Sequence, residues 1–138
     1  MTYDQPTGTT YSPTGEVPYA YAPAVPAEDR NVGMLAHLVP IGAMILSAGF
    51  LGFVGSLVIY LLYKDRGPFA RQYAANSLNI QLTMLVVLVV SVPLMLVLVG
   101  FLSFGLAFLV AFVLHLVGVA KASSGQWWNP PVTIRFVG

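Results

Sequence analysis

The chain has 138 residues, of which 57% are hydrophobic and 8% charged, with a formal net charge of +1 and a mean hydropathy of +0.80. A globular domain carries about 25% charged residues, so an ordinary water-facing surface is excluded; the small net charge and the lack of a basic, aromatic-studded patch exclude nucleic acid as a partner. The absence of cysteine excludes disulfides, thiolate metal sites and cysteine nucleophiles.

Residues 1–29 hold Pro6, Pro13, Pro18, Pro23 and Pro26 among Tyr, Thr, Gly and Ala, and no basic residue precedes Arg30. This composition cannot bury a core and reads as a disordered tail, and it lacks the basic start of a cleavable signal.

From Asn31 to Ser123 the charged residues are Lys64, Asp65, Arg66, Arg71 and Lys121. A charge at the bilayer centre costs roughly 2.5–3.5 kcal/mol, so these residues mark where the chain surfaces. The run from Asn31 to Tyr63 would measure about 50 Å as one helix, well beyond a hydrocarbon core of about 30 Å. Gly49, Gly52 and their neighbours supply the break, giving one helix over Arg30 to Ser47 and another over Phe50 to Tyr63. Both pieces are short, so the pair is either two spans or a re-entrant hairpin.

Pro68 opens a third helix, where its missing N–H costs nothing. The apolar run from Leu78 to Val99 crosses the membrane with a kink at Pro93, and Gly100 closes it. Phe101 to Ala122 forms the fourth helix, ended by Lys121 and the Ser123-Ser124-Gly125 break. The expected fold is therefore an all-α membrane protein: a four-helix transmembrane bundle over residues 30–125, preceded by the tail and followed by an interfacial segment over 126–138. Val132 to Val137 alternates weakly, as a short strand or an interfacial tail would.

Placing both termini in the cytoplasm puts all six Lys and Arg on that side and none in the loops near Gly49 and Gly100. The expectation is a multi-pass protein of the cell membrane. Lys64, Arg66, Arg71 and Lys121 then serve topology and contact with lipid headgroups, and Trp127 and Trp128 join the headgroup belt.

Inside the membrane, His37, Asn76, Asn79 and His115 fall at similar depth in an antiparallel bundle, which suggests one polar layer extended by Gln81. Gln72, Asn76, Asn79 and Thr83 share one helical face, which must look into protein. Ala107, Ala111, His115, Gly118 and Ala122 form a small-residue seam on the fourth helix. Gly33, His37, Pro40 and Met44 form one on the first, and Gly52, Ser56 and Tyr60 one on the second. The layer could be a proton or ion site, but without an intramembrane carboxylate, interhelical hydrogen bonding is the favoured reading. No metal site or cofactor is expected, because the usual Cys and carboxylate ligands are missing. Nor is an enzyme, for want of a carboxylate pair, a nucleophile beside a base or a phosphate loop.

Met34-Leu-Ala-His37-Leu, Ile59-Tyr-Leu-Leu-Tyr-Lys64-Asp-Arg66 with Pro68-Phe69, and Ala75-Asn-Ser-Leu-Asn79-Ile-Gln81 together resemble a family of small bacterial membrane proteins of unknown function. That family is distantly similar to the Tic20-like channel subunit of the chloroplast translocon. The resemblance covers residues 30–137, including Lys121 and Pro131 to Phe136. It implies a four-helix membrane domain in which His37, Asn79 and Gln81 are motif residues; the pattern departs at Arg71, Gln72 and Tyr73.

The leading expectation is a non-enzymatic membrane module, packing against other membrane proteins or copies of itself in assembly or translocation. The alternative is a small oligomeric channel or transporter. The expected partners are the lipid bilayer and either a homo-oligomer or other membrane proteins.

Overall fold

A computed structural model describes residues 24–138. The expected tail over 1–29 thus lies mostly outside the described residues. Four helices follow in order: α1 (Ala27–Ser47), α2 (Gly52–Tyr63), α3 (Pro68–Leu94) and α4 (Val99–Ser123). The described residues contain no strand, so the segment over 132–137 is irregular.

Helix α1 starts three residues before the expected Arg30, because Glu28 and Asp29 occupy its first turn, where carboxylates favour the positive helix end. At 21 residues it is long enough to span a bilayer, whereas α2 has only 12. The break between them falls where the glycines suggested. Ala48 and Gly49 take left-handed conformations, and the Ser47 hydroxyl accepts the Leu51 N–H at 2.8 Å.

The α3–α4 reversal differs in detail from expectation. Pro93 ends α3 at Leu94 rather than bending it, a 3₁₀ turn follows over Met95–Val97, and the chain reverses at Leu98 with φ +64°. Gly100 lies inside α4. A Cβ there would stand 2.1 Å from the Ser91 carbonyl oxygen and 2.3 Å from the Met95 nitrogen, so its role is to let the start of α4 cross the end of α3. Ser91 and Ser103 pin that crossing, their hydroxyls 2.7 Å apart.

Helices α1 and α3 form the central pair and touch each other; α2 and α4 each pack against both and do not meet. One apolar cluster, at the end holding the α2–α3 loop, joins Ala36, Ile59, Phe69, Tyr73, Ala74 and Ala122. A second, deeper cluster joins Met44, Ile80, Met84, Leu88, Ala111 and Leu114. The seams read from the sequence are the buried faces: Gly33, His37, Pro40 and Met44 on α1, Gly52 and Ser56 on α2, and Ala111, His115, Gly118 and Ala122 on α4.

Leu, Val, Ile and Phe side chains cover the outside, among them Leu46, Val89, Leu102 and Leu109. Three helices, α1, α3 (continued to Val97) and α4, are long and apolar enough to cross a membrane. An apolar exterior around a core that holds polar side chains inverts the soluble pattern and suits lipid as solvent.

Candidate functional site

Helix α3 sorts its polar residues onto two faces. Successive residues turn by about 100°, so Ser77 and Gln81 point to the opposite side from Asn79. The inner face meets α1, α2 and α4; the outer face meets the chain after α4.

On the inner face, His37 from α1 and His115 from α4 approach with their Nδ1 atoms 2.8 Å apart, and both imidazoles are fully buried. The Gln81 amide lies 2.8 Å from His115 Nε2 and 2.8 Å from the Met44 sulfur. Two neutral imidazoles at that separation share one proton: one ring donates its N–H to the other's lone pair. If the Gln81 amide donates to His115 Nε2, His115 carries its hydrogen on Nδ1 and donates it to His37. The remaining nitrogen, His37 Nε2, has no hydrogen-bond partner; the ring sits edge-on to Tyr73 and Trp128, centroids 5.8 and 6.0 Å away. Gly118 admits it, since a Cβ there would lie 2.6 Å from three ring atoms. One turn closer to the α2–α3 loop, the Ser77 hydroxyl bonds to the Ala36 carbonyl and lies 2.8 Å from the Ser56 hydroxyl. Each of these contacts joins different helices through groups that lipid could not satisfy.

On the outer face, side-chain amides grip the backbone of residues 128–138. Asn79 Oδ1 accepts the N–H groups of Phe136 and Val137 at 2.8 and 3.0 Å, while its Nδ2 donates to the Val137 carbonyl at 2.9 Å. Asn76 and Gln72 donate to the Trp128 carbonyl at 2.6 and 3.0 Å. Thr83 Oγ1 accepts the Ile134 N–H at 3.0 Å. The segment runs outward from Trp128 to Thr83, turns, and comes back to Arg71, whose Nε and Nη2 donate to the Gly138 carbonyl at 3.0 and 2.6 Å.

The expected single layer of His37, Asn76, Asn79, Gln81 and His115 is therefore two separate constellations. The structure joins His37, His115 and Gln81; it places Asn76 and Asn79 on the far side of α3. Similar depth put the residues together in the sequence reading, but helical phase divides them. Trp128 packs against both apolar clusters, whereas Trp127 is exposed. Met44, Ser56 and the backbone of residues 128–138 are polar partners that the sequence by itself does not signal. The amide stripe on α3 was the available signal, since such a face calls for exposed backbone to bind.

The basic residues gather at one end. Arg66 lies 3.5 Å from Glu28 and over the Tyr63 ring, Lys121 donates to Gln126 Oε1 at 2.8 Å, and Lys64 caps α2. Arg30 reaches the Ser123 carbonyl at 3.4 Å, and Arg135 lines a cavity with Pro68 and Arg71.

Residues 28–137, which span all four helices and the returning segment, match the MamF/MmsF magnetosome magnetite crystal formation protein family. The chain belongs to this family. No curated protein and no solved structure matches it. The matched range covers the motifs that carried the resemblance to a small membrane-protein family, but the distant similarity to the Tic20-like channel subunit finds no support. In this chain the bundle places His37 and Gln81 at the interhelical core and Asn79 at the anchor of the C-terminal segment.

Proposed function

We propose that this chain is a non-enzymatic, multi-pass module of the magnetosome membrane that acts in magnetite crystal formation by packing against other membrane proteins or copies of itself. The observation that carries this reading is how the polar intramembrane residues are used: His37, His115, Gln81 and Asn79 hydrogen-bond within the chain. Hydrogen bonds used between helices in this way hold the bundle together, which supports a packing role over a catalytic one. The basic end, with both termini, lies on the cytoplasmic side by the positive-inside rule, and α2 enters the bilayer without crossing its full thickness.

The surface best suited to a partner is the α3–α4 groove. It has a volume of about 360 Å³ and is lined by Met84, Val87, Leu106, Ala107, Val110 and Ala111, among others. Small residues along such a groove let another helix approach closely. A translocation role leaned on the Tic20-like resemblance and has less support. A small oligomeric channel is the second reading, and the burial of His37 and His115 within one chain favours packing over it.

The test places a photo-reactive residue at Leu106 in magnetosome membranes. A recurrent crosslink to a second copy or to one other membrane protein is expected. A product that stays monomeric, together with unchanged crystal size and number after deletion of the gene, would overturn the proposal.

A further inference from the structure

Arg71 and Arg135, far apart in sequence, line one cavity of about 390 Å³ at the basic end of the bundle. Gln72, Asn129 and Trp127 share its wall, and no carboxylate side chain does among the described residues. Arg71 is held by two hydrogen bonds to the Gly138 carbonyl, which fix its guanidinium plane and leave Nη1 uncommitted. Among the described residues, neither the Arg135 guanidinium nor the Trp127 indole N–H has a hydrogen-bond partner within the chain. Were Gly138 to carry a terminal carboxylate, one guanidinium would still be in excess.

The cavity runs along one side of α3, from its first residue, Pro68, to Asn79. Trp127 is 56% exposed and packs edge-on against Phe69 at 5.2 Å. An indole at that level marks the headgroup region of a bilayer. The donors are forked guanidiniums and single N–H groups, a set that matches an anion with several acceptor oxygens.

We propose that this cavity binds a phosphate group, presented by the headgroup of an anionic phospholipid or by a soluble phosphate ester. The C-terminal segment builds half of the site: by folding back along the amide face of α3 it brings Arg135 to Arg71. Lys64, Arg66 and Lys121 stay outside the cavity and serve the general field. This reading goes beyond the packing role and does not depend on it.

The test uses the full chain in nanodiscs of phosphatidylcholine doped with phosphatidylglycerol, with retained lipid counted by native mass spectrometry. Phosphatidylglycerol is expected to be retained in preference to phosphatidylcholine. Arg135→Gln should lower that retention about tenfold, as loss of a charge-assisted hydrogen bond implies; Arg135→Lys should lower it less, and Arg66→Gln should leave it unchanged. Glycerol 3-phosphate supplies the second arm, in phosphatidylcholine alone. If it binds the native chain and not Arg135→Gln, while phosphatidylglycerol shows no preference, the site takes the soluble ester. Equal losses in Arg66→Gln and Arg135→Gln, or no preference in either arm, would overturn the proposal.

Discussion

The Nδ1 atoms of His37 and His115 lie 2.8 Å apart with both rings fully buried, so the contact between α1 and α4 contains a hydrogen bond that neither lipid nor water can replace. An interhelical hydrogen bond in a membrane is worth about 0.6 kcal/mol on average and up to about 1.7. Truncating either imidazole also leaves a cavity, at about 2–4 kcal/mol in all. In a double-mutant cycle of His37→Ala and His115→Ala, read by unfolding in bicelles, a coupling of about 1 kcal/mol is expected. Additive losses would show that the two rings merely fill space.

Gly118 tests the same contact from the other side. Gly118→Ala puts a methyl 2.6 Å from a buried, rigid imidazole, and such overpacking costs about 1–3 kcal/mol. Gly42→Ala, where a Cβ meets nothing within 4 Å, should fall within about 0.5 kcal/mol of the native chain. Equal melting temperatures for the two variants would contradict this packing.

Asn79 reads backbone at three points. Asn79→Ala should release the Phe136 and Val137 amides, whose hydrogen exchange is expected to quicken about fivefold, since each net hydrogen bond contributes about 1 kcal/mol. Thr83→Ala should affect Ile134 instead, through its single bond. Protection at Phe136 that survives Asn79→Ala would mean that the segment is held by its apolar side chains.

Orientation is checked with cysteine replacements at exposed ends of α3. Leu96, 90% exposed in the turn before α4, and Asp65, in the α2–α3 loop, lie at opposite ends of the bundle. In sealed vesicles, an impermeant reagent should label Leu96→Cys and Asp65→Cys from opposite faces, with Asp65→Cys on the cytoplasmic side. Labelling of both from one face would contradict a spanning α3.

Hydropathy and charge by themselves determined four apolar helices suited to a membrane, the break beside Gly49, and the buried seams of α1, α2 and α4. These follow from local physics: the length needed to cross hydrocarbon, the cost of a buried charge, the helical period and the punctuation by Gly and Pro. Gly100 shows the limit, because as a sequence signal it reads as a helix end, and only the crossing of α3 and α4 makes it a point of contact inside a helix. The division of the polar residues was a tertiary decision too. His37, Asn76, Asn79, Gln81 and His115 share a depth, which the sequence encodes, but pairing His37 with His115 and giving Asn79 to the C-terminal segment depends on which helices become neighbours. Arg135 comes to line a cavity with Arg71 for the same reason: residues 128–138 have little periodicity of their own, and their path is set by the amides of α3, which no reading of that segment alone contains.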